Sequence, residues 1–391
     1  MEQIYTCDGN QNLTSIRGTN TPWFNQDFGY DALNRLTSTT GPYGTIGYTY
    51  DRVGNRMTLT KDGQTDTYAY VTGTNKIQEI TGNNPLEFTH DANGNITAMG
   101  GKTLFYNQNN RLQRVEESNI VLVEYAYNGL GQRITKTAGG TTTVFHYDFD
   151  GNIIGESQSD GTFTNEYLYL GSSRTAMVNV GSGSTYYYHN NYLGTPVLMT
   201  DSTGTVVWEA EYKPYGEAEI NPNSTVVNNF RFPGQYYDTE TGLHYNYHRY
   251  YDPRTGKYLT PDPSHSIQPR QPRETGIPYL IPYFLNSPLE YNLYHYVKNN
   301  PINLIDPEGL VCGSGWTDRI LGDKPFGCDF SACCREHDDC YGEKSCEKRD
   351  SRVECDFKFL LCMMVSDEDP KCILPAILYF STVRGFGWIA Y

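Results

Sequence analysis

The sequence predicts a mainly β protein, a coiled antiparallel sheet built from short repeats, followed by a small disulfide-rich all-α domain. Three observations carry this. Tyrosine and glycine number 34 and 38 among 391 residues, beside a charged fraction of only 19%, a composition that favours strands and turns. A short Tyr-Asp unit recurs from about residue 30 to residue 154. Nine of the ten cysteines lie between Cys312 and Cys372, the density of a small domain that cannot hold itself together by apolar burial alone.

The repeat comes first along the chain. Its copies are Tyr30-Asp31 with Asn34-Arg35-Leu36, Tyr50-Asp51 with Gly54-Asn55-Arg56, and His90-Asp91 with Gly94-Asn95-Ile96. They continue as Tyr106-Asn107 with Asn110-Arg111-Leu112, Tyr127-Asn128 with Gly131-Gln132-Arg133, and Tyr147-Asp148 with Gly151-Asn152-Ile153. Each reads as a strand ending in Tyr-Asp, a tight turn where Gly or Asn takes positive φ, and a returning strand. A lone hairpin is marginal in water, so the run must stack edge to edge into one long sheet.

After Tyr186 the motifs sharpen: Asn191-Tyr192-Leu193-Gly194-Thr195-Pro196, Phe232-Pro233-Gly234-Gln235-Tyr236-Tyr237-Asp238, His248-Arg249-Tyr250-Tyr251-Asp252-Pro253, Asp262-Pro263 and finally Asp306-Pro307-Glu308-Gly309-Leu310. With the repeats, they resemble the RHS/YD-repeat family of polymorphic toxins. The resemblance implies a YD-repeat β shell over residues 1–185 and a core-associated region over 186–310, with a longer, proline-rich link from Ser264 to Glu290. It also implies that the shell encloses a C-terminal toxin and cuts the chain after Leu310 by an aspartyl mechanism using Arg249, Asp262 and Asp306. Two carboxyls close together share a proton, and an arginine tunes them. The plainer reading makes both aspartates turn residues and Arg249 a strand-edge ion pair.

The tail, residues 311–391, carries its own pattern. Cys333-Cys334-Arg335-Glu336-His337-Asp338-Asp339-Cys340-Tyr341 lacks Gly and Pro, and on a helical period Cys333, His337, Cys340 and Tyr341 share a face. A second candidate helix holds Cys355-Asp356 through Cys362, and Val311-Cys312-Gly313-Ser314-Gly315 precedes both. These three elements resemble secreted phospholipase A2. That resemblance implies a calcium-dependent hydrolase of the sn-2 ester of phospholipids, with His337 as base, Asp356 orienting it, Tyr341 holding Asp356, and the Gly313 N–H as an oxyanion donor. It places calcium on the Val311, Gly313 and Gly315 carbonyls and the Asp338 carboxylate. It pairs Cys312–Cys334, Cys333–Cys362 and Cys340–Cys355, leaving Cys328, Cys346 and Cys372. The competing expectation is a non-catalytic Cys/His binding module, braced by zinc or disulfides, on an adhesive YD-repeat protein.

Charge and hydropathy set the surroundings. A net charge of −15 leaves no general basic surface, so nucleic acid is set aside as a partner. No apolar run of eighteen residues and no signal-peptide pattern are present, while the cysteines imply an oxidising, extracellular destination. The expectation is a secreted effector, reached as part of a longer product or through a dedicated export apparatus, acting on a phospholipid surface and guarded by an immunity protein.

Overall fold

The computed structural model describes residues 3–18, 25–171, 173–263, 288–307 and 309–310. Within them, strands from Gln3–Cys7 to Ala218–Ile220 form one 22-stranded antiparallel sheet. Each strand pairs with the next in sequence.

The turns follow from side-chain chemistry. At Asp51, Oδ1 accepts the N–H of Val53 at 3.0 Å and of Asn55 at 2.8 Å, while Gly54 takes φ 81°. Asn107, Asn128 and Asn191 do the same with an amide oxygen. The turn therefore needs an acceptor, and a charge is dispensable.

The tyrosine has a separate task. It follows a register shift in the ladder, as between Thr49 and Tyr50 or Phe105 and Tyr106, and such a bulge re-aims the side chain. Its hydroxyl then donates to a carbonyl just past the previous turn. Tyr50 reaches Leu36 at 2.7 Å, Tyr70 reaches Arg56 at 2.9 Å, Tyr106 reaches Ile96 at 2.8 Å and Tyr147 reaches Arg133 at 2.8 Å. Where the tyrosine is present, the repeat is thus clamped to its predecessor by a bond that the alternating pattern does not foretell. One face of the sheet buries Leu36, Met99, Leu104, Val115 and Val123.

The sheet passes residues 185 and 186 without a break, since Ala176 pairs with Tyr187 and Met177 with Tyr186. The change of architecture comes after Ile220. There the chain forms a four-stranded sheet, Tyr236–Asp238, Leu243–Asn246, Arg249–Asp252 and Lys257–Tyr258, whose two middle strands are buried at every position. It packs on the wall through charge as well as apolar area. Arg133, fully buried, donates to Asp238 at 2.6 Å, and its guanidinium lies 4.4–4.7 Å from the Tyr245 and Phe145 rings. Residues 288–303 then run back over the earliest repeats: Asn292 donates to Asn55, Asn299 to the Gly54 carbonyl, and Leu13 N–H to Asn303.

The expected all-α tail lies outside the described residues. So do its calcium ligands Val311, Gly313, Gly315 and Asp338, its residues His337, Asp356 and Tyr341, its three disulfides, and the proline-rich link as far as residue 287.

Candidate cleavage site at the end of the shell

Three segments converge beside Gly309 and Leu310. The strand Arg249–Asp252 supplies Arg249, the segment after Lys257–Tyr258 supplies Asp262, and the last turn supplies Asp306. Arg249 Nη2 lies 3.0 Å from Asp262 Oδ2 and 3.3 Å from Asp306 Oδ2, so a single nitrogen bridges the two carboxylates. The other guanidinium nitrogens are also engaged: Nε donates to the Gly309 carbonyl at 2.5 Å and Nη1 to the Leu293 carbonyl at 3.1 Å. All three side chains are buried. Of the two plainer assignments, the ion pair is present at the first residue of the strand, and it is buried: Arg249 sits inside the molecule with both acids.

Asp306 does use the turn chemistry of the repeats. Its Oδ1 accepts Gly309 N–H at 2.7 Å and Leu310 N–H at 3.0 Å, strapping the main chain before the Leu310–Val311 bond to the carboxylate. Gly309 is required there. It sits at φ 71°, and a Cβ would lie 2.6 Å from the Asn246 carbonyl oxygen, which backbone does not yield.

Two further residues belong to the site. Tyr258 donates to Asp306 Oδ2 at 2.7 Å, and Asn246 donates to the Tyr258 hydroxyl at 2.8 Å and to the Asp306 carbonyl at 2.9 Å. Sequence reasoning missed both, since one tyrosine among 34 carries no signal of its own. Burial raises Asp306 above the usual carboxylate range, opposed by Arg249 and by the Tyr258 hydrogen bond, with Asp262 adding to the rise. A buried acid beside a second one, with an arginine between, has the ingredients of general acid and base work on an adjacent peptide. Among the described residues no group of three or more His, Cys, Asp or Glu is arranged to hold a metal ion.

Comparison with known proteins locates the architecture. The Teneurin YD-shell family matches residues 3–302. The tRNA nuclease WapA of Bacillus subtilis (strain 168) is 34% identical over 299 residues, which span 73% of this chain and 12% of that protein. The double-stranded DNA deaminase toxin A of Burkholderia cenocepacia (strain H111) is 27% identical over 329 residues, 73% of this chain and 21% of that one. A chain of the Photorhabdus luminescens Tc holotoxin pore superposes with TM-score 0.60 at 22% identity, covering 79% of this chain and 16% of its own. The chain thus spans between about an eighth and a fifth of the length of these relatives.

These findings correct the expected activity. Relatives at 27–34% identity are nucleases and a deaminase by name, which overturns the calcium-dependent phospholipase A2 read from His337, Asp338 and Asp356, and leaves the phospholipid surface as substrate without support. The net charge is negative in both parts, −11 over residues 1–310 and −4 over residues 311–391, so neither part has an overall excess of basic residues.

Proposed function

This chain belongs to the Teneurin YD-shell family, and from that premise we propose that it is the carrier portion of a toxin-type protein that hydrolyses its own backbone after Leu310, parting the tail from the shell. The observation that supports this most directly is the bridging of Asp262 and Asp306 by Arg249 Nη2, with the main chain of residues 309 and 310 tied to Asp306.

The chemistry is a hydrolysis. A water gives a proton to one carboxylate as its oxygen bonds to the Leu310 carbonyl carbon, and the other carboxyl protonates the carbonyl oxygen. Collapse re-forms the carbonyl, returns that proton, breaks the C–N bond and passes the first proton to the new amine. The relatives' names support a toxin setting, in which the separated tail is the cargo and an immunity protein and a delivery apparatus are the expected partners.

Intact mass of the purified full chain tests the proposal. Wild type should yield a fragment beginning at Val311. Asp262→Asn and Asp306→Asn should slow its appearance by at least about a hundredfold, the usual worth of an acid or base group. Because Asn107, Asn128 and Asn191 make the repeat turn with an amide, Asp306→Asn removes the charge while sparing the turn. Asp91→Asn, an aspartate of a repeat turn, should cleave as wild type does. A full-length mass in the wild type refutes the reading.

A further inference from the structure

The two carboxylates are not equivalent, and the hydrogen bonds around Asp306 show how. An ionised carboxylate offers about four lone-pair positions, and on Asp306 four donors address them. Oδ1 takes the N–H groups of Gly309 and Leu310, and Oδ2 takes Arg249 Nη2 and the Tyr258 hydroxyl. Three of these donors are N–H groups with fixed directions. The fourth is a hydroxyl, the single rotor of the set, able to turn from donor to acceptor. A proton arriving on Asp306 must displace a donor, and only at Tyr258 does displacement leave no buried N–H facing another hydrogen.

We propose that Tyr258 is a positioning residue of the cleavage site, whose hydroxyl holds Asp306 as the ionised, proton-accepting member of the pair and marks Oδ2 as the oxygen that receives the proton. The assignment rests on the self-cleavage reading above. Asp306 then takes the proton from water and later passes it to the new amine, while Asp262 serves as the acid toward the Leu310 carbonyl oxygen and recovers its proton on collapse. Protons and bonds balance as in the hydrolysis already written, with the roles now distributed.

Packing fixes the hydroxyl in place. Tyr258 is fully buried, its ring lies 3.6 Å beneath the Arg249 guanidinium, and Asn246 pins its oxygen from the far side. The titratable groups that face Asp306 are Arg249, Asp262, Tyr258 and Tyr296. Burial pushes both tyrosine hydroxyls up, so neither loses its proton in the working range. The Tyr258 bond works against the rise that burial imposes on Asp306, which gives the test its direction.

Tyr258→Phe in the full chain, followed as cleavage rate against pH, is the experiment. Losing a hydrogen bond to a charged group should move the acid limb to higher pH by about one to two units. Asn246→Leu, which frees the hydroxyl without removing it, should move the limb the same way by less. A limb that stays put while the plateau falls shows a merely structural tyrosine and overturns the proposal. Titration of the Asp306 carboxyl by carbon NMR, in a chain kept whole by Asp262→Asn, separates the two claims. An Asp306 pKa unmoved by Tyr258→Phe in that background overturns the positioning role whatever happens at the junction. A wild-type chain that never cleaves overturns the reading on which it rests.

Discussion

The repeat wall and the small sheet packed on it solve the same problem by opposite means. In the wall, units contribute Asx turns and tyrosine clamps, and the clamps recur from Tyr30 to Tyr169, although Val71 replaces the Asx residue in one copy and His90 the tyrosine in another. No single copy matters greatly, and the sequence itself swaps Asp for Asn at the turn. Where the small sheet meets its surroundings, polar groups are buried and singular. Arg133 with Asp238, Arg249 with Asp262 and Asp306, and Lys257 each occur once, away from water. Asp51 and Asp306 make the comparison within one residue type. Both cap a turn with Oδ1, but only Asp306 has its second oxygen held in the interior by an arginine and a tyrosine. Repetition spreads stability over replaceable contacts, whereas burial concentrates it, and reactivity with it, in a few.

Three substitutions sharpen this contrast. The largest effect is expected at Arg133→Ala, which takes from buried Asp238 the closer of its two cations, leaves Lys136 at 3.5 Å, and should cost about 3–5 kcal/mol in denaturant unfolding. A cost near zero would mean that water reaches Asp238 and that the small sheet is not sealed against the wall.

A smaller effect of opposite sign is expected at Lys257. Its ammonium makes no hydrogen bond and is buried beside Arg56, with Tyr70 and Asp51 as its other neighbours. Burial first, and Arg56 second, bring its pKa down to about 7, while an unfolded lysine keeps its proton until about 10.4. Below pH 7 both states are charged and the folded state bears the full cost. From there to the unfolded value the folded lysine is neutral and the unfolded one is not, so stability rises with pH. His295, opposite Lys257 in the bridge, is held down to about 3 and does not titrate in this window. Lys257→Met should therefore stabilise the chain most below pH 7, on the order of a few kcal/mol, and flatten the slope above it. A slope that survives the substitution would assign it to another group.

The smallest effect is expected in the wall. Tyr106→Phe removes one clamp to Ile96 and should cost about 1 kcal/mol, seen as a small shift of the unfolding midpoint with no change in cleavage. A loss as large as that at Arg133 would show that the repeats are not interchangeable.

What the sequence determined by itself was local. The period of Tyr-Asp units, the turn residues and the meandering sheet follow from interactions within about five residues, which composition and spacing record directly. Arg249, Asp262 and Asp306 were legible only through the terminal Asp306-Pro307-Glu308-Gly309-Leu310 motif and its resemblance to a family. Tertiary structure decided the rest. That Tyr50 bonds Leu36, that Arg133 meets Asp238, and that Tyr258 and Asn246 serve Asp306 depend on segments 14 to 105 residues apart in sequence. A side chain's sequence neighbours say nothing about such partners, because the low-dielectric interior in which those contacts gain their strength exists only once the wall and the small sheet have closed on each other.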